Sequence, residues 1–224
     1  MVGVSLTRRD IMSKLLLVRH GDTELSSDER YWGHSDVKLS TLGLRQAEGL
    51  RDFLVTHEID AIYSSDLKRA LVTAEIIASR HKTEIITCAE LREINFGELE
   101  GLTFDEISQR YPEVAKSWIE GKLRLKYPGG ESIREFTQRT SNFASRLMTL
   151  IPEQTILIVA HSGSLRILIC HLLGIRLQHW HQLQLDFGSL SIVETHAQGA
   201  VLRSLNDTSH LEIGSVALSK PTMY

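Results

Sequence analysis

Aliphatic strands alternate with amphipathic helices along most of this chain, and this alternation limits the possible folds more than any other feature. Two runs, residues 14–18 and 155–160, are almost entirely aliphatic and are typical of strands buried on both faces. Apolar residues recur at helical spacing in residues 44–54, 67–78 and 133–147. The pattern predicts an α/β fold with a mainly parallel sheet and helices on both faces, giving three α/β/α layers.

Shorter strands and the ends of several helices are also readable. Four further strands are predicted, at residues 61–63, 84–87, 189–194 and 201–205. Thr103 and Ser132 each precede a glutamate by three residues, the capping-box pattern that begins a helix. Asp66 is a candidate N-cap for the helix over residues 67–78, and Gly174 is a typical helix end.

The chain of 224 residues is interpreted as one domain, because no Pro/Gly/Ser-rich linker divides it. We expect residues 14–224 to form this domain and residues 1–13 to form a short N-terminal extension. The apolar run after Arg8-Arg9 is too short for an export signal, and Met12 is a candidate start.

Composition argues against several classes of protein. The net charge of −3 and the absence of a basic run argue against nucleic-acid binding. No apolar stretch approaches the ~18 residues of a membrane span. The two cysteines, Cys88 and Cys170, lie far apart and suit neither a disulfide framework nor a zinc site, so we expect a cytoplasmic protein.

Two of the aliphatic strands end in histidine. His20 follows the first strand after Arg19, and His161 follows the strand over residues 155–160. Ligands of α/β sheets bind beyond the carboxyl ends of the strands, so both histidines should reach the same edge. A helix beginning behind His161 would offer backbone N–H groups to an anion there.

Two further residues suit phosphate chemistry, although each has a simpler interpretation. Arg69 follows a strand end and lies in the first turn of a helix, where a guanidinium can bind two phosphate oxygens. It is otherwise a solvated surface arginine. Glu93 lies among apolar neighbours, and partial burial would suit it to donate a proton. It is otherwise an exposed loop carboxylate.

Four motifs, in this order and spacing, resemble those of the histidine phosphatase superfamily, which is also called the phosphoglycerate mutase-like family. They are Arg19-His20-Gly21-Asp22-Thr23, Ser64-Ser65-x-x-x-Arg69-Ala70-x-x-Thr73-Ala74, Leu91-x-Glu93-x-x-x-Gly97-x-x-Glu100-Gly101 and Ala160-His161-Ser162-Gly163. The resemblance covers residues 14–205, and it implies the phosphoglycerate mutase-like version of the predicted fold.

The resemblance also implies a mechanism with a phosphohistidine intermediate. His20 would attack phosphorus, while Arg19, Arg69 and His161 would hold the phosphoryl oxygens. Glu93 would protonate the leaving alcohol and then activate water. No metal or other cofactor is expected, because the arginines and histidines supply the positive charge.

Five further residues would contact substrate if the family pattern holds. They are Thr23, Ser26, Gly33, His34 and Ser162. The family often has asparagine where this chain has Ser26, whose side chain is shorter, and often has glycine where it has Ser162. The second change preserves the backbone N–H group.

The resemblance is closest to the phosphatase branch, because only residues 102–128 separate Gly101 from Gly129, whereas mutases carry a longer insertion. Segments 33–36, 96–101 and 186–189 are similar to those of bacterial α-ribazole phosphatases, which act in cobalamin synthesis. A phosphoglycerate mutase, a broad-specificity sugar or acid phosphatase and a non-catalytic binding module are the alternatives. A small-molecule phosphomonoester is the expected partner, together with a homodimeric assembly.

His179 and His181 are a second, weaker candidate site. Their spacing could suit a metal ion, yet no third ligand lies nearby in the sequence. We therefore expect no metal site.

Overall fold

A six-stranded sheet organises the protein. The computed structural model describes residues 13–26, 29–150 and 153–212. The strands are β1 (Ser13–Arg19), β2 (Ala61–Ser64), β3 (Ile85–Thr87), β4 (Gln154–Ala160), β5 (Leu190–His196) and β6 (Gly199–Asp207), in the order β3-β2-β4-β1-β5-β6. Residues 1–12 of the expected extension, with Met12, lie outside the described residues, and Ser13 already belongs to β1. The single-domain interpretation stays a prediction.

The sheet is mainly parallel, as predicted, but one edge is antiparallel. β1, β2, β3 and β4 pair in parallel, whereas β5 runs antiparallel to both β1 and β6. Only two residues separate β5 from β6. So short a connection permits an antiparallel hairpin and no parallel crossover.

The helices cover both faces of the sheet and confirm the three-layer prediction. They are α1 (Thr41–Leu54), α2 (Lys68–Ala78), α3 (Phe104–Arg110), α4 (Pro112–Ile119), α5 (Ile133–Leu150), α6 (Ser162–Leu173) and α7 (Ser209–Glu212), with short 3₁₀ helices at Ala89–Leu91, Gly97–Leu99 and Leu177–Gln182. Side chains of α1 and α2 pack on one face of the sheet, and those of α5 and α6 pack on the other. Successive strand residues point to opposite faces of the sheet. Leu16 therefore packs in the hydrophobic core with α1 and α2, and Leu17 packs in the core with α5 and α6.

Local signals located most helix ends correctly, with one exception. The capping boxes at Thr103 and Ser132 are present, and Gly174 ends α6 in the left-handed region at φ 66°. Asp66 does not cap α2, because its carboxylate is paired with Arg92 at 2.7 Å. The Lys68 N–H at the start of α2 donates instead to Asp36 Oδ1 at 2.7 Å.

Candidate active site

The two strand-end histidines lie side by side. β1 and β4 are neighbouring parallel strands, and the His20 N–H donates to the Ala160 carbonyl at 3.0 Å. The rings of His20 and His161 meet edge to face, with their centroids 4.9 Å apart, and both side chains are buried. The sheet topology therefore brings together two residues that are far apart in sequence.

The hydrogen bonding of His20 leaves one ring nitrogen available for attack. Nδ1 lies 2.8 Å from the Gly21 carbonyl oxygen, which can only accept, so Nδ1 carries the proton. Nε2 then holds a lone pair. Burial, followed by the charges of Arg69 and Arg19, lowers the pKa of His20 well below its ordinary value. The neutral, nucleophilic imidazole is thereby favoured.

His161 has one partnered and one unpartnered ring nitrogen. Nε2 lies 2.9 Å from Ser65 Oγ, whereas the buried Nδ1 has no hydrogen-bond partner among the described residues. Burial, followed by the charge of Arg69, lowers the pKa of His161 well below its ordinary value. The Ser65 hydroxyl accepts from the Leu67 N–H at 3.3 Å, so its own proton can be donated to His161 Nε2. A neutral His161 then carries its proton on Nδ1, which is an unpartnered donor among the described residues.

Arg69 is a buried residue, not a solvated one. Its Nη1 and Nη2 donate to the carbonyls of Ser35 and Gly33 at 2.9 and 2.7 Å. The Thr73 hydroxyl donates to the Arg69 carbonyl at 2.7 Å and accepts from the Gly21 N–H at 3.2 Å. The guanidinium is thus held by the loop at residues 33–35, and the Arg69 main chain is linked through Thr73 to the Gly21 N–H next to His20.

Arg19 is held by the segment that leads into β5, the antiparallel neighbour of β1. Its Nη1 donates to the Leu185 carbonyl at 2.5 Å, and its guanidinium lies 3.8 Å above the centroid of the Phe187 ring. The same ring contacts His20, with centroids 5.5 Å apart. Phe187 therefore packs against both residues, and stacking on an aromatic face orients a planar guanidinium.

Glu93 lies beside His161 at the N-terminus of α6. Glu93 Oε2 accepts from the Gly163 N–H at 3.0 Å, and Oε1 accepts from the Ile94 N–H at 2.9 Å. A Cβ atom at position 163 would lie 2.2 Å from Glu93 Oε1, so the absence of a side chain there makes room for the carboxylate. The half-buried Glu93 is consequently part of the histidine site and not an isolated loop residue.

The loop that contains Gly33 and His34 joins Arg69 to residues 90–95, which form the segment that carries Glu93 (the Glu93 segment). His34 Nε2 lies 3.0 Å from the Glu93 carbonyl, to which it donates, and the His34 N–H donates to Glu100 Oε1 at 2.7 Å. A Cβ atom on Gly33 would lie 2.1 Å from the Ile94 carbonyl oxygen. Both residues predicted to contact substrate thus also hold the walls of the site together.

The remaining predicted contacts lie next to the two histidine motifs. Thr23 is buried and pairs with Leu39 in an isolated antiparallel bridge, and Ser162 is the first residue of α6. The Ser26 hydroxyl donates to the Asp22 carboxylate, so it already has a partner. Contact of these side chains with substrate stays a prediction.

His179 and His181 lie outside this cluster, in the 3₁₀ helix Leu177–Gln182. In residues 13–26, 29–150 and 153–212, no three His, Cys, Asp or Glu side chains converge as a metal site would require. None of the helices in these ranges is long and apolar enough to cross a lipid bilayer.

Sequence reasoning missed several residues that support the site. Arg139 and Glu131 contact the Glu93 segment, and Phe187 packs on Arg19. Glu131 follows a Pro-Gly-Gly turn, a weak signal, whereas Arg139 looks like any charged residue on the polar face of an amphipathic helix.

Comparison with known proteins identifies the family. A family model described as histidine phosphatase superfamily (branch 1) matches residues 15–208. The chain belongs to the histidine phosphatase superfamily. The resemblance drawn from the four motifs is confirmed.

Named relatives of this histidine phosphatase include two phosphatases. The chain is 34% identical over 200 residues to phosphoserine phosphatase 1 of Hydrogenobacter thermophilus, covering 89% of this chain and 95% of that protein. It is 31% identical over 193 residues to adenosylcobalamin/α-ribazole phosphatase of Escherichia coli, covering 86% and 95%. The crystal structure of the Shigella flexneri α-ribazole phosphatase has a TM-score of 0.81 and 31% identity, covering 87% and 96%. The protein is therefore an enzyme of the phosphatase type.

The lowered pKa of His20 predicts how stability depends on pH. The unfolded chain takes up a proton near the ordinary histidine pKa of about 6.5, whereas folded His20 resists protonation. The contribution of neutral His20 to the free energy of unfolding is therefore present in full above a pH of about 6.5. It is lost as the pH falls below that value, by up to ~1.4 kcal/mol per pH unit. Denaturant unfolding between pH 7 and 5 should show a shallower loss of stability in His20→Asn than in the wild type. Equal slopes would contradict the buried neutral state.

Proposed function

We propose that this enzyme hydrolyses phosphomonoesters of alkyl alcohols in two steps, through a phosphohistidine at His20. The observation that carries the proposal is the hydrogen bond from His20 Nδ1 to the Gly21 carbonyl, which directs the Nε2 lone pair to the reaction. Arg19, Arg69 and His161 surround this imidazole, and Glu93 lies beside His161.

In the first step, His20 Nε2 attacks phosphorus in line with the ester oxygen. The N–P bond forms as the P–O bond to the alcohol breaks, and the bonding electrons leave with the oxygen. Glu93 acts as the general acid and hands that oxygen a proton, so the product leaves as a neutral alcohol.

In the second step, a water molecule takes the position of the alcohol. Glu93, now a carboxylate, accepts a proton as the water oxygen attacks phosphorus and the N–P bond breaks. Inorganic phosphate leaves, and His20 returns to the neutral form with its proton on Nδ1. The same carboxylate serves both steps because both transfer a proton at the same oxygen position.

Charge on the transferring phosphoryl group is stabilised by Arg19, Arg69 and the Nδ1–H group of His161. Donors that are already fixed by other contacts require little reorganisation during the reaction. Arg69 and Arg19 satisfy this condition, since carbonyls and an aromatic ring hold them. The two guanidinium groups supply the positive charge that Mg²⁺ supplies in other phosphoryl transfers, whereas His161 contributes a neutral donor. Thr23, Ser26, Gly33, His34 and Ser162 are the proposed substrate contacts.

The proposed substrate is α-ribazole 5′-phosphate, which would place the enzyme in the cytoplasmic synthesis of cobalamin. Support comes from the sequence segments noted above and from the names of the Escherichia coli and Shigella flexneri relatives. Phosphoserine is a second candidate, supported by the name of the Hydrogenobacter thermophilus relative. Both compounds are phosphate esters of alkyl alcohols.

A substrate panel tests this choice. Phosphate release should be measured in excess EDTA with α-ribazole 5′-phosphate, phosphoserine, 3-phosphoglycerate, a sugar phosphate and p-nitrophenyl phosphate. We expect EDTA to have no effect on kcat/KM, and we expect α-ribazole 5′-phosphate to have the highest value.

Other outcomes are equally informative. A higher kcat/KM for phosphoserine would select the second candidate, and similar values throughout would indicate a broad-specificity phosphatase. Interconversion of phosphoglycerates without phosphate release would identify a mutase. Complete loss of activity in EDTA, reversed by added metal, would contradict the metal-free mechanism and return attention to His179 and His181.

A further inference from the structure

The geometry points to Arg139 as a positioning residue that holds Glu93 in place, with Glu131 holding Arg139 in turn. Arg139 contacts neither histidine of the site in any hydrogen bond of the described residues. It acts on the main chain of the segment that carries Glu93. The inference rests on the proposed role of Glu93 as the proton donor and acceptor.

Arg139 reaches from α5 to three carbonyl oxygens of one short segment. Nη1 donates to the carbonyls of Glu90 and Arg92, both at 2.8 Å, and Nη2 donates to the carbonyl of Glu93 at 2.8 Å. The guanidinium also lies 4.7 Å from the centroid of the Phe136 ring. One rigid cation therefore binds the backbone at Glu93 and on its N-terminal side.

Glu131 completes the attachment from the other side. Its carboxylate pairs with Arg139 at 2.6 Å (Nε to Oε1) and at 2.9 Å (Nη2 to Oε2). The Glu131 N–H donates to the Asn95 carbonyl at 2.9 Å, and Oε2 accepts from the Asn95 N–H at 3.3 Å. The ion pair is mostly buried, with side chains 20% and 15% exposed. Residues 90–95 are thus held at both ends.

The segment needs this attachment because most of it belongs to no helix or strand. A 3₁₀ helix ends at Leu91, and the next begins at Gly97. Carbonyls between them have no regular partners, and a planar guanidinium can bind several of them at once. A lysine ammonium group cannot reproduce this planar arrangement of N–H donors. Displacing a catalytic group by about 1 Å can lower a rate roughly 10²-fold.

The test compares leaving groups. Arg139→Gln should lower kcat/KM for an alkyl phosphate roughly 10²-fold, because Glu93 no longer meets the departing oxygen. It should change kcat/KM for p-nitrophenyl phosphate little, because p-nitrophenolate leaves with little need of a proton. In a Glu93→Gln background, Arg139→Gln should cause no further loss with the alkyl phosphate, since the two residues act as one unit.

Arg146→Gln is the matched control. Arg146 lies on the same helix and pairs with the side chain of Glu90 at 2.9 Å, yet that ion pair is far more exposed, at 48% and 35%. We expect both substrates to react with Arg146→Gln as with the wild type. Arg139→Lys should behave like Arg139→Gln although lysine keeps the positive charge, because its ammonium group lacks the planar set of N–H donors of a guanidinium. If Arg139→Gln fails to fold, Glu131→Gln provides the same comparison.

Two results would overturn the inference. One is an equal loss on both substrates in folded Arg139→Gln or Glu131→Gln, and the other is an additive loss in the double variant. Failure of the proposed function looks different, because Glu93→Gln alone would then fail to discriminate between the substrates. A discriminating Glu93→Gln with a non-discriminating Arg139→Gln would refute only the positioning role.

Discussion

Replacing His20 with alanine should abolish turnover and leave the protein folded. A nucleophile that forms a covalent intermediate has no substitute at the site, so we expect a loss on the order of 10⁶-fold in kcat. The fold should survive because the His20 side chain lies at a strand end, outside the hydrophobic clusters of the two sheet faces. Steady-state phosphate release and thermal unfolding measure the two effects.

His196→Ala is a matched control for this variant. His196 is also buried, but it ends β5 at the opposite end of the sheet, because β5 runs antiparallel to β1. Its replacement should leave kcat near the wild-type value. Rapid quenching with labelled substrate should trap an acid-labile, alkali-stable phosphoramidate in the wild type and none in His20→Ala. Label on a serine or an aspartate would defeat the mechanism.

Replacing Glu93 with glutamine should slow alkyl phosphates selectively. General acid catalysis contributes typically 10²–10⁴-fold, and we expect kcat/KM for an alkyl phosphate to fall by about this factor. A ribose or serine alkoxide needs a proton in order to leave, whereas p-nitrophenolate largely does not. The kcat/KM for p-nitrophenyl phosphate should therefore stay close to that of the wild type. This parameter reports the steps up to release of the alcohol, so slower hydrolysis of phosphohistidine does not hide the effect.

Glu98→Gln is the control for the Glu93 variant. Glu98 belongs to the same motif, but its exposed carboxylate accepts from the Tyr111 hydroxyl at 2.9 Å. We expect Glu98→Gln to leave kcat/KM unchanged for both the alkyl phosphate and p-nitrophenyl phosphate. An equal loss on both substrates in Glu93→Gln would show that Glu93 is not the general acid. Glu98, Glu100 and Asp22 would then be the candidates for the general acid.

Much of the site could be predicted because its residues follow strand ends. A histidine that directly follows a buried strand lies at the carboxyl edge of a parallel sheet wherever that strand is placed. His20, His161 and Arg69 were found in this way. The apolar neighbours of Glu93 made it a candidate proton donor, and the family resemblance supported that role. The residue pattern of a short segment is sufficient for such an inference, because hydrophobic periodicity and helix caps are properties of short segments.

The contacts of these side chains, in contrast, follow from tertiary packing. Arg19 donates to Leu185, which is 166 residues away, and Arg139 binds carbonyls 46 to 49 residues before it. Asp66 illustrates the difference, since its sequence context suits an N-cap and its carboxylate instead pairs with Arg92. A charged side chain has the same local pattern whether it is solvated or bound, so its partner depends on which segments the fold brings together. Local sequence patterns were therefore enough to predict the strands, most of the helices and the motif residues that follow the strand ends. The antiparallel pairing of β5 with β1, the burial of Arg69 and the attachment of Glu93 depended on long-range packing that no short segment encodes.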